Sequence, residues 1–200
     1  MEHVLDFTAL LTCVSARWSP TIGDPNTMGW VTVAAYVAAC ILTLRVALKS
    51  AGREGLFWLG LSVILLALAV NKQLDLQTAL TAAGRCVAQA QGWYAERRSV
   101  QIDFIRGVMA AAALTAVLLI WIMRRIIDDT WLALIGLIFL LAFVAVRAAG
   151  FHHFDRFLGH QIGSLRMNWI MELGGIAMIS ANALYLLGRR SRRVPQAARL

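Results

Sequence analysis

Five uncharged and mostly apolar runs, at residues 26–44, 56–71, 107–123, 130–146 and 173–188, restrict what this chain can become more than any other feature. An α-helix rises about 1.5 Å per residue, so roughly 17–25 apolar residues cross the ~30 Å hydrocarbon core of a bilayer. Several runs are slightly short, but Arg45, Arg106 and Arg147 lie within a turn of their ends. Such stems lie along lipid while the guanidinium reaches the headgroups. Trp30, Trp58, Trp121, Trp131 and Trp169 fall at span ends, where interfacial anchors are expected. The expectation is an all-α, polytopic transmembrane bundle of about five helices.

Composition closes the alternatives. The chain is 60% hydrophobic and 15% charged, whereas a soluble domain averages roughly 45–50% and 25%. Such a chain cannot clothe its surface with polar groups in water. The net charge of +8 does not indicate nucleic-acid binding. Much of it lies in the 189–200 tail and the short loops, and no soluble basic domain is left to hold a duplex.

The segment Arg189-Arg190-Ser191-Arg192-Arg193 directly follows the last apolar run and predicts a cytoplasmic C-terminus. An odd number of spans then puts the N-terminus outside, loops 49–55 and 124–129 inside, and segments 73–103 and 150–168 outside. Residues 1–25 lack the basic start of a signal peptide and carry Glu2 and Asp6. They read as an interfacial or re-entrant segment before the turn at Pro20 and Pro25. Within 74–103, Leu76, Leu80, Ala83, Val87, Ala90 and Tyr94 form a 3.6-residue stripe, as on an amphipathic helix lying on the outer surface or packed over the bundle as a lid. The division is therefore residues 1–25, a five-helix domain over 26–188 with an outer insertion at about 74–103, and a basic tail over 189–200. Cys13 and Cys86 both fall outside and are free to pair or to remain thiols; Cys40 lies within a span.

Ionisable groups are costly within a membrane and mark functional candidates. Here they gather at the outer ends of three spans. In the first cluster, Asn71, Asp75 and Thr78 share a face if the helix continues, and Lys72 can pair with Asp75 three residues on. The second cluster, leaving the fourth span, holds Arg147, His152, His153, Asp155, Arg156 and His160. On a helix, His153, Arg156 and His160 share a face. Histidine with a nearby aspartate suits a metal ligand or general base. The third cluster sets Asn168 and Glu172 on one face, continued by Gly175, Ile179 and Asn182, with Gly174 and Gly175 permitting close helix approach. Glu172 is then expected to face the bundle interior and to need Lys72, Arg147 or a histidine as partner. Arg97 and Arg98 add guanidinium forks suited to phosphate or carboxylate.

The stretches NKQLDLQ (71–77), GWYxxRRxxQ (92–101), FHHFD (151–155) and NWxxE (168–172) resemble those of a family of small multi-span bacterial membrane proteins. The resemblance covers about residues 56–175. It implies a bacterial inner-membrane protein and supplies no activity, cofactor or partner.

Two functions follow from the clusters. In the first, His153 and His160, with His152, Asp155 or Asp75, hold a divalent metal. Glu172 and Asp75 act as acid–base groups, and Lys72, Asn71, Arg147, Asn168, Arg97 and Arg98 hold an anionic lipid-like ligand. Metal-bound water would make this a hydrolase or transferase acting on an amphiphile. In the second, the chain is a non-catalytic membrane subunit or assembly factor, contacting lipids and either a partner protein or a second copy. No G-x-S-x-G, H-E-x-x-H or nucleotide-binding glycine loop is present, and no internal repeat supports a transporter.

Overall fold

The protein is an all-α helical bundle. A computed structural model describes residues 7–20, 22, 25–149, 161–162 and 165–197. Seven α-helices are defined among these residues: α1 (Phe7–Ser15), α2 (Thr27–Ala47), α3 (Gly52–Leu74), α4 (Leu76–Ala90), α5 (Arg97–Met123), α6 (Ile127–Ala149) and α7 (Met167–Ala197). A short 3-10 turn, Tyr94–Glu96, precedes α5, and a two-residue antiparallel ladder, Gln161–Ile162 with Leu165–Arg166, leads into α7. Helices α2, α3, α5, α6 and α7 are each long and apolar enough to cross a membrane. The chain is therefore a multi-pass membrane protein, with the five spans expected from its apolar runs.

Local chemistry sets the breaks. Asn26 caps α2, its Oδ1 accepting from the Gly29 backbone N–H at 2.8 Å. The turn between α2 and α3 is so short that the two helices must lie antiparallel. Gly52 adopts φ +56° there, a conformation that glycine takes without Cβ strain. Asp75 separates α3 from α4 with φ 46° and ψ 51°. Its carbonyl accepts from the Thr78 N–H at 3.0 Å, and its Oδ2 accepts from the Thr78 hydroxyl at 2.6 Å. Aspartate tolerates this left-handed conformation better than most residues because its side chain bonds locally.

The core joins α2, α3, α6 and α7. Tyr36, Val46, Trp58, Leu61, Leu65, Leu140 and Ile179 are its most buried large side chains. Helix α2 packs between α3 and α7, and α6 packs along α7. At the α6–α7 crossing, a Cβ on Gly136 would come within 2.8 Å of the Gly175 carbonyl oxygen, and one on Gly175 within 2.6 Å of Leu140 Cγ. Gly175 thus makes the close approach expected of it. Gly174 plays no part in the crossing: a Cβ added there would meet nothing within 4 Å.

Below that crossing, the Asn182 amide accepts from the Ala133 N–H at 2.9 Å and donates to the Asp129 carbonyl at 2.9 Å. An ideal helix would join those two backbone groups to each other, so α7 clamps the first turn of α6. The buried hydroxyls of Thr32, Thr43 and Thr130 are satisfied locally, each donating to a carbonyl four residues back. Helix α5 lies chiefly against α6 among the spans; none of its described residues is fully buried, and only the half-buried Leu119 among them packs against the core.

The two ends of the bundle differ. At one, Arg190 donates to the Lys49 carbonyl at 2.7 Å, the Ser50 hydroxyl at 2.8 Å and Glu54 Oε1 at 2.5 Å, while Arg189 pairs with Asp129 at 2.6 Å. The loops at 49–55 and 124–129 and the first tail arginines therefore gather together. Helix α7 continues through Arg189–Arg193 to Ala197, so the first part of the basic tail is helical.

At the other end, α1 and α4 pack together and Cys13 and Cys86 form a disulfide with a Cα–Cα separation of 6.1 Å. Trp18 Nε1 donates to the Leu74 carbonyl at 3.3 Å, fastening the chain after α1 to the end of α3. The expected insertion at 74–103 divides: α4 forms a separate helix, whereas 97–103 belongs to α5 and continues its span.

The tryptophans also divide. Trp30, Trp121 and Trp131 are more than half exposed at helix ends, in the manner of interfacial anchors. Trp58 is wholly buried against Phe57, with ring centroids 5.4 Å apart. Trp169 is buried beneath the Arg166 guanidinium, which lies 5.6 Å from its ring centroid.

Candidate functional site

The disulfide-bearing end brings the first and third sequence clusters together. Lys72, in the last turn of α3, and Glu172, in the second turn of α7, have side chains only 6% and 5% exposed. Lys72 Nζ lies 3.0 Å from Glu172 Oε2, and the Tyr36 hydroxyl, from the middle of α2, donates to Oε1 at 3.0 Å. Three spans thus meet at one carboxylate. Of the three partners open to Glu172 on sequence grounds, the structure supplies Lys72. It adds Tyr36, which no sequence signal marks because its position in the first span looks like ordinary apolar core.

The expected pairing of Lys72 with Asp75 does not form in this arrangement. That pairing needs an unbroken helix through residue 75. The left-handed Asp75 ends α3 at Leu74, so Asn71, Asp75 and Thr78 do not share one helical face. Asp75 holds the Thr78 hydroxyl, while Asn71 is half-buried in the last turn of α3.

The face predicted for the last span is the one that packs inward: Glu172, Gly175, Ile179 and Asn182 are all buried. Asn168 stands one turn above Glu172 on the same face. Its Oδ1 is buried and has no hydrogen-bond partner among the described residues. Trp58 Nε1 is the other such atom among them, but it lies within the apolar core. An unpaired buried acceptor costs about 1–3 kcal/mol, so a further donor at Asn168 Oδ1 would be stabilising.

Both Glu172 oxygens have partners, and one Asp75 oxygen is bound to Thr78. Arg98 is exposed at the start of α5. Arg97 and Arg147 are placed by backbone alone, in the first turn of α5 and the last turns of α6. His152, His153, Asp155 and His160 lie outside the described residues. Among the described residues, no group of three or more His, Cys, Asp or Glu side chains is arranged to hold a metal ion.

Helix α4 turns its Cys86 side toward α1 and leaves Leu76 and Leu80 of the predicted stripe exposed, as on a helix whose apolar face meets lipid. Ala82, Cys86 and Ala88 are buried, whereas Leu76 and Leu80 are 41% and 56% exposed. The disulfide and the contact with α1 select the Ala82–Cys86 side. Exposed leucines are ordinary at the edge of a membrane protein, where lipid is a good solvent for them. No family model, curated protein or solved structure matches this chain.

Proposed function

We propose that the chain is a bacterial inner-membrane protein whose disulfide-bearing end faces outward and binds the polar headgroup of a membrane amphiphile, acting by binding rather than catalysis. The observation that carries this reading is the buried Asn168 Oδ1, which has no partner among the described residues, one turn above the ion-paired Glu172. Buried polar atoms are nearly always satisfied, and each exception calls for a physical reason, of which a bound group that completes it is one. A hydroxyl or amide donor on a headgroup would supply the missing bond. Arg166, at the entry to α7, adds positive charge at the same end.

Two features support the orientation. The opposite end gathers the Arg189–Arg190 contacts, as the positive-inside rule expects of a cytoplasmic face. The Cys13–Cys86 bond belongs in an oxidising compartment.

Native mass spectrometry after extraction in mild detergent tests the reading. Wild-type protein should retain an amphiphile that Asn168→Leu loses, while the variant melts at the same or a higher temperature because its orphan acceptor is gone. Equal retention by both, or no amphiphile retained by the wild type, contradicts it.

A second reading, a membrane subunit that pairs with another copy of itself, is favoured by the bare face of α5. No described residue of that span's apolar window is buried, and Gly107, Ala111 and Thr115 form an exposed small-residue series at four-residue spacing. A dimer that persists in detergent and is lost in Ala111→Leu would favour this reading.

A further inference from the structure

A second polar site lies beside the disulfide, built from residues that carry no motif in the sequence. A cleft of about 530 Å³ opens between the turn after α1 and the flank of α4 beside it, lined by the exposed Arg17, Thr78, Thr81 and Arg85 and the buried Ala82. Its size falls within the ~300–1,000 Å³ range of small-ligand pockets. Thr78, Thr81, Ala82 and Arg85 recur at helical spacing on one side of α4, and the small Ala82 side chain leaves room between them.

Arg17 faces them from the other wall and is steadied by a 2.8 Å bond from its Nη2 to Gln89 Oε1. No described carboxylate pairs with Arg17 or Arg85. Asp75, the acid nearest Arg85 along the chain, is engaged by the Thr78 hydroxyl, and Asp6 and Asp24, the acids nearest Arg17, lie outside the described residues. The two walls are covalently joined: Cys86 directly follows Arg85, and Cys13 lies one turn before Arg17.

We infer that this cleft binds a phosphate-bearing anion between the Arg17 and Arg85 guanidiniums, and that the Cys13–Cys86 bond holds the two arginines in register. Guanidinium forks match phosphate oxygens in geometry as well as charge. Two of them on facing walls suit a phosphate monoester or diester better than a monodentate anion. The site uses neither Lys72, Glu172 nor Asn168 and stands whether or not the headgroup reading holds. The phosphate could belong to a lipid headgroup or to a soluble ester; the chemistry at the arginines is the same.

The test uses the full chain in neutral detergent and in nanodiscs. Inorganic phosphate titrated in detergent, with chloride at matched ionic strength as control, reports a soluble source. Retention of phosphatidylglycerol over phosphatidylcholine in nanodiscs reports a lipid source. Either probe should bind Arg17→Gln or Arg85→Gln roughly tenfold to a hundredfold more weakly than wild type, the range for losing a charged hydrogen bond.

Arg106→Gln, which alters an arginine paired with Asp103 outside the cleft, should bind as wild type does. Arg17→Lys and Arg85→Lys keep the charge, guard against misfolding and should show a smaller loss. Reduction of the disulfide should weaken binding in the same direction. Equal binding of both probes by wild type and the glutamine variants, or no preference for phosphate over chloride and for the anionic lipid over the neutral one, overturns the inference.

Discussion

Lys72 and Glu172 carry most of the electrostatic risk in the bundle. A single charge buried among apolar helices is expensive, so each residue depends on the other. Removing one partner of such a pair costs about 3–5 kcal/mol, whereas replacing both with apolar groups of similar volume is often neutral or stabilising. Lys72→Met and Glu172→Leu alone should therefore lower the melting temperature of the detergent-solubilised protein sharply. The Lys72→Met/Glu172→Leu double variant should recover most of the loss. A double-mutant cycle checks this, and simple additivity of the two losses would remove the pair from the account. The Tyr36 hydroxyl ties α2 to the same carboxylate at 3.0 Å. No feature of the sequence around residue 36 announces that contact, because hydrogen-bond partners 136 residues apart are matched only when the helices pack.

Among the elements, the α6–α7 crossing makes the sharpest demand. The helices approach closely because two glycines meet there, with a Gly136 Cβ position 2.8 Å from the Gly175 carbonyl oxygen. Alanine at either position must push a backbone or the Leu140 side chain, with an overpacking cost of about 1–3 kcal/mol. Gly136→Ala and Gly175→Ala should both lower the melting temperature, while Gly174→Ala should leave it unchanged or raise it, alanine being the better helix former. Equal effects at Gly174 and Gly175 would deny the crossing.

Gly175 is legible in the sequence through its position on the Asn168–Glu172–Ile179–Asn182 face. Gly136 is hidden within an apolar run that offers no periodic signal of its own. The same limit explains α4: its amphipathic pattern is legible, but the buried side is decided by Cys86 and α1, a partner 73 residues away. At residue 75 a helical extrapolation fails because one aspartate adopts a left-handed conformation, and both the Lys72–Asp75 pair and the shared face fail with it.

Across the whole molecule, what can be read from sequence is what the bilayer dictates: five apolar spans, their ends and the gathering of arginines at one of them. Long-range pairing is beyond it. The Arg17–Arg85 cleft exists only because α1 folds back on α4, and Trp58 has the sequence position of an interfacial anchor although its whole ring lies in the core.

The account turns on which way the bundle faces, since the Asn168–Glu172 end and the arginine cleft both serve an outward ligand. Cysteine chemistry reads this directly. Cells are lysed into a thiol-blocking reagent, the chain is denatured without reductant, and alkylated cysteines are counted by mass. The account predicts one alkylated cysteine per chain, Cys40, rising to three after reduction because Cys13 and Cys86 were paired. Three alkylated cysteines without reductant would put that end in a reducing compartment and contradict an outward-facing site.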